Sequence, residues 1–179
     1  MKKHGDVGGP FELFIGIIVF AMALVIGGYL FEMVNCWKCN ELLKSEATDF
    51  REAIASVGKG DTNSKRNMII EVEDLGSCAT GIFLRHVMAD GTLECRNMCP
   101  DHPNSCWVII SESSCGGGDT EIDCIDIGGD MDIVSTHPDL GKITTSNNQW
   151  LDNAWAITHT ISVKIEKTEQ GIITISPPG

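Results

Sequence analysis

Basic residues are scarce in this sequence: 13 Lys and Arg stand against 25 Asp and Glu, a formal net charge of −12. Nucleic-acid binding rests on clustered Lys and Arg that displace counterions from phosphates, so the balance argues against that class. No G-x-S-x-G, H-E-x-x-H or Walker-type run occurs, which leaves the chain without the common signatures of hydrolases, zinc peptidases and P-loop enzymes. No internal repeat, low-complexity tract or N-x-S/T sequon outside the apolar segment is present. Cysteine is absent before residue 36, and charge is absent from residues 13–31. The chain is nonetheless no disordered polymer, because 42% of its residues are hydrophobic and its mean hydropathy is +0.03.

The charge-free run reads LFIGIIVFAMALVIGGYLF and is bracketed by Glu12 and Glu32. About 20 apolar residues at ~1.5 Å rise cross the ~30 Å hydrocarbon layer of a membrane. Tyr29 and Trp37 lie near its C-terminal end, where amphipathic rings suit the headgroup layer, and Lys2 with Lys3 ahead of it favour an N-in, C-out orientation. A cleaved secretory signal would have a shorter apolar core and an A-x-A-like site, neither of which is seen. Downstream, Leu43, Ala47, Phe50, Ile54 and Val57 recur at spacings of four and three with charged residues between them, and Gly58 and Gly60 supply a stop. With Pro10 as first helical residue, one helix is expected over 10–57, about 70 Å long. Its membrane or filament-core part lies at about 11–34, after a basic, Gly-containing leader at 1–9.

A short basic leader, glycines, a lone Glu and an unbroken apolar helix resemble the type IV pilin-like proteins. The stretch Ile15 to Gly28, IGIIVFAMALVIGG, is similar to the N-terminal helix of archaeal flagellins and related archaeal pilins. The resemblance covers about the first 35 residues. It implies processing at a glycine by a prepilin-type peptidase and assembly by bundling of these helices in a filament core. Cleavage after Gly8 would set Glu12 fourth in the mature chain; Gly5 leaves it further along, Gly9 would put Pro10 first, and retention of the leader is the other outcome. On this resemblance Glu12 matches the family's early helix glutamate. Its alternative reading is an interfacial residue stabilised by the helix N-terminal dipole. Gly16, Gly27 and Gly28 would allow close approach of neighbouring helices.

From Asn67 the pattern turns extended. NMIIEVEDL, GIFLRHVM, TLECR, CWVIISES, EIDCIDIG, AITHTISVKIEK and GIITISP are short β-branched runs separated by turn residues. Asp90-Gly91 is a two-residue hairpin signal between the second and third. About seven antiparallel strands in a small sandwich or open barrel are expected for the head over 58–179, with residues 135–153 as a long surface loop. The fold class is therefore α+β: a long transmembrane-type helix followed by a disulfide-stapled antiparallel β-sandwich-like head.

The stapling follows from the cysteines. Cys36, Cys39, Cys78, Cys95, Cys99, Cys106, Cys115 and Cys124 are an even set, and outside the cytoplasm such a set reads as disulfides, whose pairing the sequence leaves open. Cys36-Trp-Lys-Cys39 has three readings: a structural disulfide, part of a metal site, or a redox pair. It lies mid-helix, without the helix N-terminus that activates redox thiols, and the two sulfurs could bond to each other, reach a head cysteine such as Cys78, or bridge to a second subunit. Cys95, Cys99, His102 and Cys106 form the best zinc candidate, at spacings unlike a standard finger. Asp119, Glu121, Asp123, Asp126, Asp130 and Asp132 read as a solvated acidic face, with a calcium loop as the alternative. His86 and His159 fall in strand patterns, and His137-Pro138-Asp139 in a loop where a functional tip is one option.

No catalytic set and no cofactor are expected. The expected function is that of a structural, pilin-like subunit that self-associates through its N-terminal helix in a membrane-attached assembly or surface filament, with the head outside the cytoplasm. The alternative is a single-pass anchored binding module that forms no filament, and a third reading is an anchored enzyme of thiol or metal type. Residues 35–179 carry 11 basic and 22 acidic groups, so nearly all the negative charge, like all the cysteine, belongs to the part placed outside the membrane.

Overall fold

The computed structural model describes residues 8–72, 79–88, 94–102, 105–115, 120–128, 131–143 and 154–179. It is α+β, with one long apolar N-terminal helix and two sheets. Helix α1 spans Gly8–Lys59, two residues longer at each end than the pattern predicts. The chain divides into two compact units, Met1–Trp37 and Lys38–Gly179. The head therefore begins 20 residues earlier than position 58, because the second part of α1 supplies part of its core.

Leu43, Ala47, Phe50, Ile54 and Val57, the predicted stripe, are all buried, together with Cys39 and Ala53. The stop at Gly58 and Gly60 is reinforced from far away in sequence. Lys167 donates from Nζ to the carbonyls of Gly58 (2.8 Å) and Gly60 (2.9 Å), satisfying helix-end acceptors and placing a cation at the negative end of the dipole.

The strands are β1 (Lys65–Ile70), β2 (Ala79–Met88), β3 (Ser105–Ser113), β4 (Thr120–Ile125), β5 (Ile133–Ser135), β6 (Gly141–Lys142), β7 (Trp155–Ile157), β8 (Ile161–Lys167) and β9 (Ile173–Ser176), with a short helix α2 (Glu94–Met98) between β2 and β3. One sheet has the order β1-β8-β9-β5 and the other β4-β3-β2-β7-β6. All pairings are antiparallel except β5 with β9, which is parallel. Three expectations are corrected. Within TLECR, Glu94, Cys95 and Arg96 are helical rather than extended, since α2 starts at Glu94, while Thr92 and Leu93 lie outside the described residues. AITHTISVKIEK is two strands in different sheets, broken at Thr158–Thr160. The surface loop over 135–153 contains β6 and the buried His137 and Leu140, while 144–153 lie outside the described residues. So do the Asp90-Gly91 turn and Cys78.

Strand periodicity explains how the five-stranded sheet is covered twice. Ile82 and Leu84 of β2, with Trp107 and Ile109 of β3, join the α1 stripe and the inward residues of the other sheet in one core. Phe83, Val87, Cys106, Val108 and Ile110, from the opposite face, form a second cluster with Cys95 of α2 and Cys99 just after it. Burial on both faces is why CWVIIS reads as a continuous apolar run. Gly81, with φ +154°, sits at a register shift of β2, where a Cβ would lie 2.8 Å from the carbonyl oxygen of Ile157 on β7; the close approach requires glycine.

Candidate assembly and anchoring surface

Residues 11–35 of α1 are all exposed. Phe11, Phe14, Phe20, Leu24, Val25 and Phe31 present 60% or more of their surface, and the segment is apolar around its whole circumference. None of its charge-free run is buried. Exposing such an area to water is unfavourable at roughly 25 cal/mol per Å², so the segment requires another apolar environment. Length and composition suit a membrane span.

Glu12 is exposed in the first turns of this segment. A Cβ built at Gly16, Gly27 or Gly28 meets nothing within 4 Å, so nothing in the described chain requires glycine there. A helix-interior Gly costs about 1 kcal/mol relative to Ala. Glu12, Gly16, Ala23 and Gly27, at spacings of four, seven and four, share one side of the helix, whereas Gly28 points elsewhere.

The cysteines are resolved into specific roles. Cys95 bonds Cys106, and Cys99 bonds Cys124, fastening α2 to β3 and β4 within the second apolar cluster. Cys39 is also disulfide-bonded, but not to Cys36 of the same C-x-x-C motif. Cys36 is half-buried one turn earlier, and Cys115 keeps its thiol. The zinc candidate is corrected accordingly. Cys95, Cys99 and Cys106 are disulfide sulfurs rather than thiolates, and His102 faces Asp126 at 3.4 Å. Among the described residues, no group of three or more His, Cys, Asp or Glu is arranged to hold a metal ion.

The acidic stretch does something sequence reading missed. Lys44, Arg51 and Lys59, at spacings of seven and eight, lie on one side of α1 and meet Glu121 (2.9 Å), Asp123 (3.4 Å) and Asp126 (2.5 Å) on and just after edge strand β4. The Lys59 ammonium, with a hydrogen bond from His102, holds the Asp126 carboxyl below its usual range. The helical spacing of the three basic residues was the available signal. Asp132 is exposed, and Asp119 and Asp130 lie outside the described residues.

The histidines serve the fold. His86 stacks on Trp107 (4.6 Å), which stacks on Trp155 (5.6 Å), and His86 Nε2 lies 2.7 Å from Ser105 Oγ. Burial lowers the His86 pKa, partly offset by the charge of Asp132. His137 is no exposed tip: it is buried, donates from Nε2 to the Ser162 carbonyl and accepts at Nδ1 from the Asp139 N–H, which ties the turn after β5 to β8. His159 is half-buried. No family model, curated protein or solved structure matches this chain significantly.

Proposed function

We propose that this chain is a pilin-like structural subunit, anchored in or derived from a membrane through α1 and self-associating along that helix into a surface filament or membrane-attached assembly. The head, on this reading, lies outside the cytoplasm with its two sheets packed as a sandwich, and its chemistry is that of a durable, disulfide-linked body. The carrying observation is the all-apolar, all-exposed stretch of α1, which runs in one unbroken helix into a stretch whose stripe is buried. Identical helices offer each other the environment that the head does not supply. Glycines unused within the described chain and the side shared by Glu12, Gly16 and Ala23 support the same reading. Disulfides in the head support an oxidising compartment.

The test is electron microscopy with mass spectrometry of material sheared from cells that express the full chain, alongside N-terminal sequencing. The protein is expected in filaments. Retention in membranes, with none in sheared material, would overturn the filament and leave the anchored binding module. An intact Met1 or Lys2 would overturn prepilin-type processing.

A further inference from the structure

Among the described residues, the four-stranded sheet ends in β1 on one side and β5 on the other. Outside α1, the exposed large apolar side chains among the described residues are Ile69, at 58%, and Val134, at 42%. They lie on these two terminal strands. Register places them on the same face: Ile69 stands opposite Ser162, Glu166 of the same strand parity opposite Thr174, and Thr174 opposite Val134. The other face carries Val163, Ile165, Ile173 and Ile175 and is buried. Directions agree as well. β1 and β9 both run antiparallel to β8, and β5 runs parallel to β9, so β1 and β5 point the same way.

We propose that β5 of one copy pairs in parallel with β1 of the next, so that this sheet continues from subunit to subunit. Terminal strands present unpaired backbone donors and acceptors and are templates for such addition. With Ile69 beside Val134, Asn67 falls beside Asp132, and Lys65 and Arg66 lie toward that carboxylate. Apolar then meets apolar, and base meets acid. Antiparallel pairing of β1 with a second β1 would set Lys65 and Arg66 beside Ile70 and Ile69, without counter-charges. The contact joins two different surfaces, and repetition of such a contact gives an open assembly rather than a closed dimer. It spans only the three residues of β5, so it needs the high local concentration that association of α1 provides; in this it rests on the function proposed above.

The experiment uses the full chain in its native assembly. A variant carrying both Ile69→Cys and Val134→Cys, mildly oxidised and run on a non-reducing gel, is expected to give a ladder of covalent multimers above the wild-type background. A mixture of the two single variants is expected to stop at dimers. Asp132→Lys in the double-cysteine background should cut cross-linking at least tenfold, and Lys65→Asp with Arg66→Asp should restore it. Filaments visible by microscopy with no ladder overturn the sheet continuation and leave assembly through α1 standing. Absence of both ladder and filaments overturns both. Unchanged cross-linking in Asp132→Lys overturns the pairing of these two edges.

Discussion

Two stretches of α1 share one backbone and nearly nothing else. From 11 to 35 every residue is exposed and charge appears only at Glu12 and Glu32; from 39 to 57 an apolar stripe is buried and the remaining sides carry charge. The contrast shows that sidedness, and not hydrophobicity, distinguishes a helix that belongs to a globular core from one that needs a different solvent. A stripe at spacings of four and three matches one partner surface. An unbroken apolar circumference matches lipid or a ring of like helices.

That comparison can be broken by changing one stretch and watching the other. Phe50→Ala, at a fully buried position, is expected to destabilise the head by about 3–5 kcal/mol in urea unfolding while leaving membrane retention unchanged. Leu24→Arg should do the reverse, disfavouring insertion by about 3 kcal/mol with no shift in the head's unfolding midpoint. If either substitution produces the other's effect, the division of labour is wrong.

A second pair of regions, the two covers of the five-stranded sheet, offers a finer test. Replacing both Cys99 and Cys124 by Ala should cost about 2–4 kcal/mol. Hydrogen exchange should then accelerate in α2, while the side facing the α1 stripe stays protected. Uniform acceleration through both clusters would contradict two separately held layers.

Smaller effects concern charge. The folded pKa of His86 lies below the ordinary histidine value, so the fold favours the neutral ring. Its contribution is complete above about pH 6.5 and is lost as the pH falls through the lowered folded value. His86→Phe, which keeps the stack on Trp107, should flatten stability against pH in that range; an unchanged profile would assign the acid response elsewhere. The smallest effect belongs to Asp126. Its depressed carboxyl contributes fully above the usual carboxylate range and loses that contribution as the pH falls through the folded value. The pair with Lys59 is more than half exposed, so Lys59→Met should cost only a few tenths of a kcal/mol, an increment that should vanish in high salt.

Legibility in the sequence followed periodicity. The stripe from Leu43 to Val57 could be read because one helix repeats it over four turns, and the alternation of Ile161, Val163 and Ile165 marked β8 for the same reason. Five residues of α2 hold too little repeat to announce a helix, and β-branched Thr92 with Leu93 pulled the reading toward a strand. The division of AITHTISVKIEK between sheets depends on long-range pairing that no local pattern records. Disulfide connectivity was open for the same reason: Cys99 finds Cys124 rather than Cys95, its neighbour one helical turn away. The apolar, exposed stretch of α1 was legible as composition, since a helical stretch that the described residues leave uncovered needs no tertiary information to describe. The facing charges of α1 and β4 were written in both segments, but only the fold brings them together.

The fastening of α1 has a mechanical consequence. Its buried stretch is held by the apolar stripe from Leu43 to Val57 and, at its end, by Lys167 gripping the carbonyls of Gly58 and Gly60. A pull along the helix would have to break the stripe's contacts and this grip, which comes from a strand more than 100 residues away in sequence. Lys167→Met should therefore lower the force at which the helix peels from the rest of its core.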